Sequence, residues 1–262
     1  MFKKLIAFIT ENVKEGYEEA KAERDAKNEK ERLQAEENNK IIEGIPAEEK
    51  FALAIAAPFR AVYLAAWSPI LEKTDDGKKP FVLYSFGKPE SLPDENRATL
   101  RDLLFRDFRV RDKDSAIKVI ASLFMAASIS PSLAEYADDD FVTSAEGVRA
   151  VIELLHGEAS ADGSAAVLLS PYWALAACMA AYVISGSADL AYLERDFALK
   201  LLIETAAFAK ERFTSWEDYG EAFLKGERIA KLNNALGHNI LKKYVGYLNT
   251  KFGSPWRVVA WE

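Results

Sequence analysis

Two hundred and sixty-two residues, half of them apolar and 29% charged, describe a globular chain long enough to bury a full hydrophobic core. The 34 basic residues stand against 41 acidic ones, a formal net charge of -7 that opposes nucleic acid and anionic lipid as partners. The one cysteine, Cys178, excludes an intrachain disulfide, and two histidines with one thiol cannot assemble a four-ligand zinc site; carboxylate sites for magnesium or calcium stay open.

The first ten residues, Met1 to Thr10, carry an apolar run of only five residues with no small-x-small cleavage site, which predicts a cytoplasmic chain. Phe2, Leu5, Ile6, Ile9, Val13 and Tyr17 recur at steps of three and four and form one helical stripe that needs a partner surface. From Glu18 to Lys40 the apolar positions fade while acidic and basic residues alternate at i,i+4 spacing, the pattern of a solvated helix. Residues 1–44 therefore read as a projecting amphipathic and charged helix. Residues 45–262 read as one helical domain.

Pro46 opens an apolar stretch, Ala47 to Trp67, which Pro58 divides into two short helices because proline supplies no N–H to the ladder. Phe81 to Phe86 has the aromatic and β-branched composition of a strand, with Trp256 to Trp261 as its candidate partner; the expectation is one minor β element. Helices follow at Pro93 to Phe108 and Asp112 to Ala127, joined as a hairpin across Arg109-Val110-Arg111. Thr143 and Glu146 form a capping box for a helix ending at Gly157. Gly163 to Ala188 holds no charged residue, and its alanine, serine and glycine content together with Pro171 indicates a buried central helix rather than a membrane span. Ser170 as cap, Pro171 at the first position and Gly186 as terminator delimit that helix to Pro171 to Ser185. Helices at Asp189 to Phe213, Ser215 to Lys225 and Glu227 to Phe252 complete the chain, giving a mainly α fold.

Catalytic signatures are weak. Glu153 and His156 have a carboxylate-x-x-imidazole spacing, but the other histidine, His238, has Ala235 where a second copy needs its carboxylate, so no metal is expected. Ser115-Ala-Ile-Lys118 matches a Ser-x-x-Lys pair without its companion motifs, and Ser115 reads as first-turn helix chemistry. Asp138-Asp139-Asp140 reads as a solvated acidic loop, and Cys178 as a small buried thiol. No glycine-rich phosphate loop, Gly-x-Ser-x-Gly elbow or His-Glu-x-x-His helix is present, and no cofactor is expected.

The most distinctive text runs from Phe213 to Arg228. Thr214 with Glu217, or Ser215 with Asp218, starts a helix, and Gly226 stops it, while Gly220 inside it points to close packing. Trp216, Tyr219, Trp256 and Trp261 are expected to cluster, with Arg228 available to Glu217 or to a ligand carboxylate. The candidate binding residues are thus Trp216, Glu217, Tyr219, Gly220, Glu221 and Arg228; Phe2, Leu5, Ile6 and Ile9 are the candidate docking residues.

The Ser215-Trp216-Glu217 segment with Gly220 and Gly226, the terminal Ser254-Pro255-Trp256 with Trp261, and the stretch from Leu100 through Asp112 to Ile120 resemble the bacterial domain-of-unknown-function family numbered 1266. The resemblance covers about residues 100–262. It implies a mostly helical bacterial protein and brings no activity with it. In that family the central helix carries an aromatic-Asp-x-x-Arg group; here Tyr172-Trp173-Ala174-Leu175-Ala176 keeps the aromatics without either charge, so a site built on that pair would be missing. The function expected is a non-catalytic interaction, regulatory or adaptor protein with a protein partner. The alternative is a small-molecule hydrolase in which Glu217, Asp218 and Glu221 divide acid and base roles.

Overall fold

A computed structural model describes residues 18–29, 32–33, 44–60, 86, 94–142, 144–158, 165–250 and 254–261. The chain divides into two units, residues 1–44 and 45–262. Of the first, residues 18–29 form a helix exposed along its whole length, as the i,i+4 charge alternation predicts. Phe2, Leu5, Ile6 and Ile9 lie outside the described residues.

The second unit is built from helices α1 (Ala47–Ile55), α2 (Asp94–Phe108), α3 (Lys113–Ala127), α4 (Asp139–Val142), α5 (Glu146–Glu158), α6 (Ala165–Asp189), α7 (Arg195–Arg212), α8 (Trp216–Ala230), α9 (Ala235–Thr250) and α10 (Pro255–Val258), with a 3-10 turn at Pro131–Tyr136. No strand occurs among the described residues. The predicted partner strand at Trp256 to Trp261 is instead the short α10 and the segment after it: Ser254 caps the helix by accepting from the Trp256 N–H at 3.2 Å, and Pro255 takes its first position. A Ser-Pro start of this kind overrides the β-branched composition behind it. Residues 81–85 lie outside the described residues.

Helix α6 is the hub. Every residue from Ala174 to Asp189 is buried, because α8, α3, α7, α5, α1 and α2 all pack against it. Its alanines and serines let those helices approach closely, and its length and hydropathy, which match a membrane span, are met by burial inside the fold. The helix is longer at both ends than its punctuation suggests. Pro171 sits inside it rather than at its start. Gly186 lies in it too, facing Leu104, and the stop comes at Ala191, left-handed at φ 58°, where Tyr192 N–H returns to the Ser187 carbonyl at 2.8 Å.

α2 and α3 join across Arg109-Val110-Arg111 where expected, with Arg109 left-handed at φ 59° and Val110 fully buried, but they do not form the predicted hairpin: each packs on α5 and α6 rather than along the other. Asp112 caps α3 by accepting from Ser115 N–H at 2.9 Å, and the Ser115 hydroxyl oxygen accepts in return from Asp112 N–H at 3.1 Å. Ser115 is thus a capping residue, and Lys118 turns away from it to Asp138 at 2.7 Å. That arrangement removes the serine–lysine nucleophile reading.

Gly226 does not end α8; the helix runs on to Ala230 and stops at Lys231, left-handed at φ 53°. The glycine is there because α8 crosses α6 on the Pro171 carbonyl: a Cβ on Gly226 would stand 2.1 Å from that oxygen and 2.7 Å from its carbon. Backbone cannot withdraw as a side chain can. Gly226→Ala is expected to destabilise the fold by about 3 kcal/mol or more, since neither helix can move without opening the core. Gly246 in α9 has nothing within 4 Å of its Cβ position, and Gly246→Ala is expected to stabilise by roughly 0.5–1 kcal/mol. Urea titration of the two variants side by side checks the contrast.

The Asp112 carboxyl is held below its ordinary value, chiefly by its hydrogen bonds from Ser115 and less by Arg111 and Lys118. A folded-state value lower than the unfolded one contributes stability above the unfolded value, near pH 4, that is lost as pH falls through the folded one. Asp112→Ala is expected to lower stability by about 1 kcal/mol at neutral pH. In denaturation at stepped pH the gap between variant and parent should close below about pH 4.

Candidate functional site

Helix α8 begins at Ser215, whose hydroxyl accepts from Asp218 N–H at 3.0 Å, while Asp218 Oδ2 accepts from the Thr214 N–H at 2.9 Å and hydroxyl at 3.2 Å. Of the two capping schemes legible in the sequence, Ser215 with Asp218 is the one adopted. Asp218 is thereby committed to the helix start.

From that start, helical spacing sorts the segment into two faces. Trp216, Tyr219, Gly220, Phe223, Gly226 and Glu227 are buried, and Glu217, Asp218, Glu221, Lys225 and Arg228 are exposed. The candidate binding residues are therefore split. Trp216, Tyr219 and Gly220 face the core, and Glu217, Glu221 and Arg228 face solvent. Eleven residues separate Glu217 from Arg228, about 16 Å along one helix, too far for the proposed ion pair.

The buried face assembles the aromatic cluster. Trp216 stacks on Trp256 at 5.3 Å and 10° and meets Trp261 edge-on at 4.6 Å, while Tyr219 lies 6.0 Å from each of Trp256 and Trp261. Phe51 of α1 closes it at 4.8 Å from Trp216. Gly220 makes the room: its Cβ would stand 2.9 Å from the Trp256 ring and 3.1 Å from Val245.

Each indole N–H in this cluster ends on a backbone carbonyl. Trp216 donates to Val259 at 2.7 Å, Trp261 to Phe213 at 3.0 Å and Trp256 to Ala54 at 2.9 Å, and the Tyr219 hydroxyl donates to Ile55 at 3.0 Å. The last two acceptors matter most. Pro58 has no N–H for the Ala54 carbonyl four residues earlier, so the chain break after α1 leaves buried acceptors that α8 and α10 supply with donors. Cys178 of α6 completes the arrangement, reaching the Phe59 N–H and the Tyr219 hydroxyl; complete burial nevertheless pushes its thiol far above the usual range. Burial does the same to the Tyr219 phenol, with Cys178 adding to it. These groups are inert as nucleophile or base and serve the packing.

One polar constellation escapes the sequence reading. Glu227 is fully buried, with Oε1 accepting from Asn233 Nδ2 at 2.8 Å and Oε2 hydrogen-bonded to His238 Nδ1. Placing the helix break at Gly226 hides it. With the break at Lys231 the three residues fall on the two arms and the bend of one α8–α9 turn. Glu153 and His156, the other imidazole pair considered, are both exposed, and Glu153 lies 3.7 Å from Arg149.

Cavities open on this body among the described residues. One, about 630 Å³, is lined by Asp114, Lys118, Tyr136 and Asp138 among others. The second, about 440 Å³, lies between the end of α2 and the start of α9, floored by Phe59, Phe108, Met179 and Leu241 and rimmed by Arg109 and Asn233. Neither is lined by Glu217, Glu221 or Arg228.

The family model for a protein of unknown function, DUF1266, matches residues 103–261, which span α8, α10 and the whole cluster apart from Phe51. The chain belongs to the DUF1266 family. No curated protein and no solved structure matches it. The tryptophans and glycines of the DUF1266 segment that carried the resemblance are the residues that build this core, so in this chain that text is a folding signature.

Tyr219→Phe tests that assignment. It keeps the ring and leaves the buried Ile55 carbonyl without its hydroxyl donor, a loss of about 1–3 kcal/mol. Guanidinium unfolding should show the midpoint falling with an unchanged slope.

Proposed function

We propose that this DUF1266 member is a non-catalytic interaction protein of the bacterial cytoplasm, acting as a regulatory or adaptor component through its helical surface. One observation carries the reading: α9 turns an apolar stripe outward. Leu236 is 70% exposed, Ile240 43% and Tyr247 40%, and they recur at helical spacing on the face opposite the buried Leu241, Val245 and Leu248. The stripe borders the α2–α9 cavity, of which Ile240 is itself a lining residue. In support, the aromatic residues of the family segment are engaged in packing, and the carboxylates of Glu217 and Glu221 stand in solvent on the outer face of α8. Acid/base catalysis needs such groups in a cleft. The Phe2, Leu5, Ile6 and Ile9 stripe is a second docking element in the same reading.

Full-length protein used as bait is expected to recover a protein partner at near-equal molar ratio. The same preparation is expected to leave panels of esters, phosphate esters and glycosides intact. Recovery of no partner, together with turnover that disappears in Glu217→Gln, overturns the reading in favour of a hydrolase.

A further inference from the structure

We infer that the groove between the end of α2 and the first turns of α9 receives an acidic, apolar-faced segment of a protein partner. The inference rests on the interaction reading above and names the chemistry of its partner. Whole-chain charge points the other way, to a basic partner, but the charge is not evenly spread. From Arg228 to Trp261 the sequence holds six basic residues, Arg228, Lys231, Lys242, Lys243, Lys251 and Arg257, and not one Asp or Glu. Within a chain of net charge -7, this C-terminal stretch is a cationic island.

Arg228, Lys231, Lys242 and Lys243 are all exposed. Lys243 flanks the apolar stripe of α9, three residues after Ile240 and four before Tyr247, with its Nζ 5.6 Å from the Tyr247 ring. On the opposite wall, Arg109 is exposed and lies 5.6 Å over the ring of Phe105, which is 46% exposed in turn. Its Nε donates to the Ser144 carbonyl at 3.1 Å, which holds the side chain at the rim. Asp107 is the acid among the lining residues, and its carboxylate is already taken by Arg106 at 2.6 and 2.8 Å. Between the walls lies the apolar floor of Phe59, Phe108, Met179 and Leu241.

A cavity of about 440 Å³ with Arg106 and Arg109 in its α2 wall, and with Lys243 further along the helix that forms the other wall, selects a ligand with apolar side chains to fill it and carboxylates beside them. Concavity also decides between two polyanionic partners. An anionic bilayer meets an amphipathic surface that lies flat on it or projects into it. A recess takes side chains, so an acidic peptide segment fits and a membrane does not.

The test presents the immobilised full chain to a displayed random library of peptides about 16 residues long, long enough for an i, i+3, i+7 set of anchors. Enriched sequences are expected to be net acidic with two or more Leu, Ile or Phe. The best of them, fluorescently labelled, should bind roughly tenfold more weakly to Lys243→Glu and to Ile240→Glu, and more weakly as sodium chloride is raised. Both substituted residues are exposed, and unchanged melting temperatures confirm that the variants fold. The inference is overturned by no enrichment, by enrichment without acidic bias, by binding that survives Ile240→Glu, or by cosedimentation with phosphatidylserine vesicles without peptide binding. Any of these results alongside successful partner capture defeats the groove alone, whereas failure of capture as well defeats the interaction reading.

Discussion

A buried proline just past the end of α1 sets the terms for this fold. Pro58 interrupts the chain after α1 in the interior, and an interior cannot leave a backbone carbonyl without a donor. Trp256 and Tyr219 reach in from α10 and α8 to Ala54 and Ile55, and Phe59 N–H finds Cys178 on α6. Four segments far apart in sequence are thus fixed by one broken turn. The family match begins at residue 103, yet its tryptophan and tyrosine donors end on carbonyls of residues 54 and 55. The cooperative unit therefore extends upstream of the family boundary.

Two ion pairs reinforce the same junction. Arg60 meets the buried Asp189 at 2.6 Å, and Arg195 meets the buried Glu49 at 2.5 Å, joining the α1 region to the end of α6 and the start of α7. Asp189 closes α6 where the helix dipole disfavours negative charge, so the guanidinium offsets both the dipole and desolvation. Such pairs add specificity of arrangement more than net stability. Around them α6 offers its own small residues to the helices that pack on it, and the contact of Gly226 on the Pro171 carbonyl shows how closely the backbones approach.

Much of this was legible in the sequence. The hub helix followed from its lack of charge, the places of α2 and α3 from their periodicity, and the aromatic cluster from the tryptophan and glycine text of α8. What misled was punctuation. Pro171, Gly186 and Gly226 look like boundaries because proline and glycine disfavour helix interiors, but here each lies within a helix, and the two glycines are kept small by a neighbour. The true stops are Ala191 and Lys231, left-handed residues whose types do not announce them. With a new helix begun at Glu227, Glu227 and His238 lie about 16 Å apart along it and Asn233 falls on another face, so the buried polar constellation does not show. The terminal strand fails for a related reason: the aromatic and β-branched composition of Trp256 to Trp261 favours a strand, and the Ser254-Pro255 helix start overrides it. Burial of Trp216, against exposure of Glu217 beside it, depends on which face of α8 meets α1 and α10, a tertiary fact without a local signal.

Cys178 gives the molecule an internal reporter. It is the sole thiol, fully buried, and lodged against the broken turn, so its sulfur is closed to alkylating reagents for as long as that turn keeps its donors. Thiol modification therefore proceeds through opening of this junction, and its rate under mild denaturant measures how often the core parts there. The same seclusion leaves the exterior without a competing thiol, so a cysteine introduced on α9 can carry a probe to that face alone.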